Sequence, residues 1–104
     1  MIVFEIFDKF NKKIILTQIR LGHILKKVEM KDEIEKIKET LVSPDEVRKS
    51  LQNDFIWIYY KHYSATPVTE KYMLVVVKIL NKEGYLLTAF YTDRIKNGEI
   101  VWKK

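Results

Sequence analysis

Three residues in the first third of the chain have the types and the spacing for acid-base chemistry on an anion: Arg20, His23 and Lys27. A helix, at roughly 100° per residue, sets them along one flank and sets Leu21, Ile24, Leu25 and Val28 along the neighbouring apolar face. An imidazole with its ordinary pKa of about 6.5 exchanges protons near neutral pH. Arginine grips a phosphate bidentately and lysine meets it as a point charge. The chain has no Cys and no dense carboxylate cluster, so metal-free cleavage of RNA is among the reactions best matched to these groups. A solvent-facing histidine between two solvated helix cations has the same pattern, and spacing alone does not separate the two readings.

A second group is the run Trp57-Ile-Tyr-Tyr-Lys-His-Tyr63. On a strand, Phe55, Trp57, Tyr59, Lys61 and Tyr63 share one face, while Ile56, Ile58, Tyr60 and His62 share the other. Rings interleaved with cations suit stacking of unpaired bases beside phosphate neutralisation, with Trp57, Tyr60 and Tyr63 as platforms and Lys27 as a phosphate contact. Aromatic residues are also good strand formers that fill ordinary cores. Thr88 and Tyr91 bring hydroxyls to an otherwise apolar strand, where each is either a satisfied structural group or a donor to a ligand. Glu29, Asp32, Glu33, Glu35 and Glu39 alternate with lysines and read as a salt-bridged surface. His23 and His62 stand too far apart for a zinc pair, and no glycine-rich phosphate loop or nucleophile elbow occurs. Neither a metal nor a cofactor is expected.

These residues need elements to position them. At 104 residues with 47% hydrophobic content, the chain fits a single domain, 1–104, that buries roughly two-thirds of its unfolded surface. The absence of cysteine suits a reducing, cytoplasmic setting. The apolar start, Met1 to Phe7, is interrupted by Glu5 and followed by Asp8 and Lys9, so a signal peptide or membrane span is not expected. The formal net charge of +5 favours polyanionic partners, although lysine-rich surfaces also serve solubility alone.

Ile2 to Phe7 and Lys13 to Thr17 read as a hairpin turning at Asp8 to Asn11. Thr17 caps a first helix from about Gln18 to Val28, and a second runs from about Lys31 to Leu41 with Met30, Ile34, Ile37 and Leu41 as its core stripe. Ser43-Pro44-Asp45-Glu46 reads as a turn or short helix start. Phe55 to Tyr63, Lys71 to Leu80 and Tyr85 to Thr92 form an antiparallel meander, with Ile100 to Trp102 as a short edge segment. The expected fold is α+β: an N-terminal hairpin and two helices packed on a curved antiparallel sheet of three to four strands.

One set of motifs, Arg20-x-x-His23-Ile24, Glu29-Met30, Leu41-x-x-Pro44-Asp45-Glu46-Val47-Arg48, Tyr59-Tyr60-Lys61, Leu74-Val-Val-Val-Lys78 and Leu87-Thr-Ala-Phe-Tyr-Thr92, resembles the phage and mobile-element nucleases of the barnase, EndoU, colicin and RelE-like superfamily. The resemblance spans about residues 18–104. It implies a metal-independent ribonuclease of toxin type, with an acidic antitoxin as a partner besides the RNA substrate. It also implies one cleft in which His23 transfers protons, Arg20, Arg48 and Lys61 hold the phosphate, and Thr88 and Tyr91 orient it. A base would take the proton of the 2′-hydroxyl, which would attack the adjacent phosphorus; the bond to the 5′-oxygen would break as an acid protonates it, and the cations would stabilise the charge on the phosphorane oxygens. Two other readings fit the same residues: a non-catalytic RNA-binding module, and a structural or protein-interaction domain.

Overall fold

Runs of β-branched and aromatic residues separated by short polar turns form seven strands in the computed structural model, which describes residues 1–104. The order is β1 (Ile2–Phe7), β2 (Lys13–Thr17), α1 (Gln18–Ile24), a 3-10 turn (Val28–Met30), α2 (Ile34–Val42), β3 (Glu46–Lys49), β4 (Ile56–His62), β5 (Tyr72–Leu80), β6 (Glu83–Thr92) and β7 (Glu99–Lys103). All seven strands join one mixed sheet in the order β1-β2-β6-β5-β4-β3-β7. The expected α+β layout, with a hairpin and two helices resting on a sheet of three to four antiparallel strands, is therefore corrected to a mostly sheet protein. The cause is long-range pairing. Lys13 to Ile15 run parallel to Glu83 to Tyr85, which draws the hairpin into the sheet. At the other side β3 pairs with both β4 and β7, adding two strands.

The hairpin turn has a local cause. The Asp8 carboxylate accepts from the backbone N–H groups of Phe10 at 2.9 Å and Lys12 at 2.8 Å. Asn11 takes the left-handed conformation, φ 63°, which asparagine tolerates better than most residues with a side chain. Thr17 Oγ1 then accepts from the Arg20 N–H at 3.3 Å and caps α1 as its sequence position predicts. That helix stops at Ile24, four residues short of the expected end, and Lys27 is extended at φ −89°, ψ 116°. The early stop turns the chain so that Met30, 1% exposed, enters the core. One such burial contributes about 1.5–3 kcal/mol, more than the few tenths each extra helical residue supplies. Arg20, His23 and Lys27 consequently do not lie on one helical flank.

The two helices fill one face of the sheet. Ile24, Met30, Ile37 and Leu41 pack there with Phe4, Ile14, Leu16, Val47, Tyr59, Met73, Val75, Val77, Leu86 and Ala89 in a single core. Gly84 sits on this face, where a Cβ would meet Ile14 Cδ1 at 2.8 Å, Val77 Cγ1 at 2.8 Å and Ile79 Cδ1 at 2.9 Å, so any larger residue would force these side chains to shift. The sheet curls strongly: the hairpin turn reaches across to β4, where the buried Tyr59 hydroxyl donates to Asp8, and to β7, where Lys9 Nζ lies 4.1 Å from the Trp102 ring centre. No helix is long and apolar enough to cross a membrane.

Candidate nucleic-acid interface

Strand register places a second set of side chains on the face away from the helices. From β6 through β5 to β4, the rows are Tyr85-Lys78-Ile56, then Thr88-Val76-Ile58, then Phe90-Leu74-Tyr60, then Thr92-Tyr72-His62. Arg48 and Glu46 on β3 continue the second and third rows. The β6 to β7 connection must cross β5, β4 and β3 to reach the far edge, and it does so on this face. The Lys96 N–H donates to the Tyr60 hydroxyl at 3.2 Å, and the Arg48 guanidinium reaches Gly98 O at 3.5 Å. This segment covers Tyr60, and Leu74 is buried beside it, while Tyr85, Lys78 and His62 stay exposed and Phe90, Thr88, Val76 and Tyr72 half-buried.

Phe90 is the centre of the basic part of this face. Lys27 Nζ lies 5.1 Å and Lys96 Nζ 5.8 Å from its ring centre, both within cation-π range. Lys27 arrives from the turn after α1, which packs against β6 beyond the point where β2 stops pairing with it. His62 meets Tyr72 edge-on, ring centres 5.2 Å apart. Two cations here are compensated: Arg48 Nε lies 2.5 Å from Glu46, and Lys13 lies 3.5 Å from Glu83. Lys27, Lys78 and Lys96 enter none of the chain's ion pairs. Three ammonium groups without a carboxylate, spread among four aromatic or imidazole rings, make a surface complementary to a polyanion with flat rings.

The residues expected in the cleft, and those expected to bind RNA beside it, divide between the two faces. Arg48, Tyr60 and Thr88 lie on the open face, and Lys27 reaches it. Arg48 has its charge compensated by Glu46, and the Tyr60 ring is fully buried and cannot stack on a base. Burial raises the Tyr60 pKa above the ordinary tyrosine value, opposed by the hydrogen bond from Lys96. Lys61, Trp57, Tyr63 and Tyr91 lie on the helix face instead. Trp57 and Phe10 meet at right angles, ring centres 5.6 Å apart, and the Lys12 ammonium lies 4.4 Å from the Trp57 ring centre. Tyr63 donates to Glu39 at 2.5 Å, and Tyr91 donates to Glu33. Burial first, and then these carboxylate hydrogen bonds, push both phenols well above the usual range. Such hydroxyls are satisfied anchors between sheet and helix rather than donors to a substrate. Arg20 and His23 are exposed on α1. No group of three or more His, Asp or Glu side chains comes together in a way that would hold a metal ion.

Phe90, Lys96, Lys78, Tyr72 and Tyr85 are the ring-bearing and cationic residues of this face that sequence reasoning did not single out as site residues. Lys78 and Phe90 were visible as alternation partners of Val76 and Thr88. The part played by Lys96 depends on where the crossing segment lies, which local sequence does not encode. No protein family, no curated protein and no solved structure matches this chain.

Proposed function

We propose that the chain binds single-stranded RNA on its open sheet face, with Phe90 as the stacking platform and Lys27, Lys78 and Lys96 on the phosphates. The observation that carries this reading is the Phe90 ring with two ammonium groups, neither with a carboxylate partner, at 5.1 and 5.8 Å from its centre. A base that displaces the lysines from the ring leaves them beside the flanking phosphates. Stacking on one ring is worth about 1–3 kcal/mol, and single strands give a salt slope of about −0.7 for each phosphate neutralised. Three lysines thus give a slope of about −2 in log affinity against log salt.

Fluorescence anisotropy with a labelled, unstructured oligoribonucleotide tests the proposal. Phe90→Leu keeps an apolar side chain and removes the ring; it should weaken binding roughly five- to hundredfold. Lys78→Glu should weaken binding and flatten the salt slope. Unchanged affinity in both variants, with circular dichroism like the parent's, would remove the sheet face from consideration.

Cleavage is the second reading, favoured by one observation: His23 is exposed on α1, the helix that packs against β6 and whose following turn delivers Lys27 to Phe90. In this reading His23 moves the proton of a 2′-hydroxyl on a strand held by the face. Labelled total RNA incubated in excess EDTA separates the two. Fragments ending in cyclic phosphate, produced by the parent and not by His23→Ala, establish a ribonuclease. Tight binding without fragments leaves a binding module.

A further inference from the structure

The curl of the sheet creates a second basic feature, on the side opposite the open face. Where the hairpin turn, the end of α2 and β7 meet, a cleft of about 290 Å³ is lined by Lys9, Lys61, Lys104, Ser43, Pro44 and Trp102. Each lysine is held by the fold. The Lys9 N–H donates to Leu41 O at 3.1 Å, fixing its backbone on the last turn of α2, and its ammonium rests on the Trp102 ring at 4.1 Å. Lys61 Nζ donates to Ser43 O at 2.8 Å, which uses one of its three N–H groups and leaves two. The Lys104 N–H donates to Asp45 O at 2.9 Å, with its ammonium 3.9 Å from the Asp45 carboxylate. Asp45 is the one acidic group that the ion pairs bring to this cleft, and it is shared with the His62 N–H at 2.8 Å. Lys9 and Lys61 enter no ion pair at all.

Like charges that line one open cleft repel one another, so the arrangement gains most from a compact anion of more than one charge. A phosphate monoester carries about −1.5 to −2 at neutral pH on three acceptor oxygens. The volume lies at the small end of ligand pockets, roughly 300–1,000 Å³, which suits a phosphate with little attached. We infer that this cleft is a binding site for a phosphate monoester, held by Lys9 and Lys61 with Lys104 at the rim. The site stands on the helix-facing side and does not rest on the RNA reading of the open face.

Trp102 reports on the site directly. In a Trp57→Phe background it is the only indole, and an anion that draws Lys9 off its ring changes its emission. Titration with inorganic phosphate, at ionic strength held constant with chloride, should give a saturable change with a Kd below about 10 mM. Lys9→Gln and Lys61→Gln should each weaken it at least fivefold, the latter still able to donate to Ser43 O. A change that does not saturate, or one that survives both substitutions, would overturn the site. Two further arms identify the source of the phosphate. An oligoribonucleotide that binds more tightly with a 5′-phosphate than with a 5′-hydroxyl, measured in the Phe90→Leu variant, assigns the cleft to an RNA end. A nucleoside 5′-monophosphate that binds as tightly as the phosphorylated oligonucleotide assigns it to a small metabolite.

Discussion

Replacing Asp8 tests whether the curl of the sheet depends on one buried carboxylate. Asp8 is 6% exposed, and its side chain serves three donors: the backbone N–H groups of Phe10 and Lys12, and the hydroxyl of the fully buried Tyr59. Hydrogen bonds to a charged group are worth about 1.5–3 kcal/mol each, and an orphaned buried donor costs about 1–3 kcal/mol. These terms overlap, because removal of the carboxylate lets the turn loosen and admit water. We expect Asp8→Ala to cost about 3–5 kcal/mol, Asp8→Asn about 1–2 kcal/mol since one amide oxygen still serves the turn, and Tyr59→Phe about 1–2 kcal/mol. The measurement is urea unfolding followed by tryptophan fluorescence. The double variant Asp8→Ala with Tyr59→Phe closes a cycle whose coupling should be about 1–3 kcal/mol. An Asp8→Ala cost below about 1 kcal/mol, or a cycle that is additive, would show that the contact across the curl contributes little and refute the reasoning.

Stability should fall in alkali. Burial is the largest cause that raises the pKa of Tyr59, Tyr60, Tyr63 and Tyr91, reinforced by Asp8, Glu39 and Glu33 for the first, third and fourth. The folded state therefore keeps protons that the unfolded chain releases near pH 10. Their contribution is complete below that pH and is lost above it, by up to about 1.4 kcal/mol per pH unit for each phenol. Ultraviolet titration of phenolate should rise steeply together with unfolding; ionisation of all six tyrosines in a chain that stays folded would contradict this. Gly84→Ala should cost about 1–3 kcal/mol, because Val77 Cγ1 has no flexible end to move aside; a thermal melt unchanged from the parent would be the contrary result. Gly22→Ala should stabilise by about 0.5–1 kcal/mol, since a Cβ there meets nothing within 4 Å and the position lies inside α1. A lowered Tm would count against it.

Local pattern revealed local structure. Thr17 marked the start of α1, the spacing of Ile34, Ile37 and Leu41 located α2, and the β-branched runs located β4, β5 and β6 to within a few residues. What failed was non-local. Nothing in Lys13-Ile14-Ile15 announces a parallel partner at Glu83-Gly84-Tyr85, because pairing is written in neither segment alone. The early end of α1 has the same origin: Leu25 to Val28 has acceptable helix propensity, and burial of Met30 overrides it. The candidate site was legible in type and not in place. Aromatic rings and lysines were evident in the sequence, yet alternation could not say which face the helices would cover. Tyr63 consequently reads as a stacking platform and Tyr91 as a hydroxyl that orients a phosphate, although both phenols are donated to carboxylates, Glu39 and Glu33.

The parallel pairing of β2 with β6 also sets the order in which the molecule can be made. Ile15 must wait for Tyr85, seventy residues later in the chain. At roughly 5–20 residues per second, a ribosome takes about 4–14 s to supply that partner. During that interval the hairpin and α1 have no sheet to join, and Ile14, Leu16 and Ile24, buried in the finished protein, have no core to enter. The late strands β6 and β7 are thus the ones that close the structure. A chain interrupted before Glu83 would expose an unpaired apolar strand edge, the feature that invites self-association.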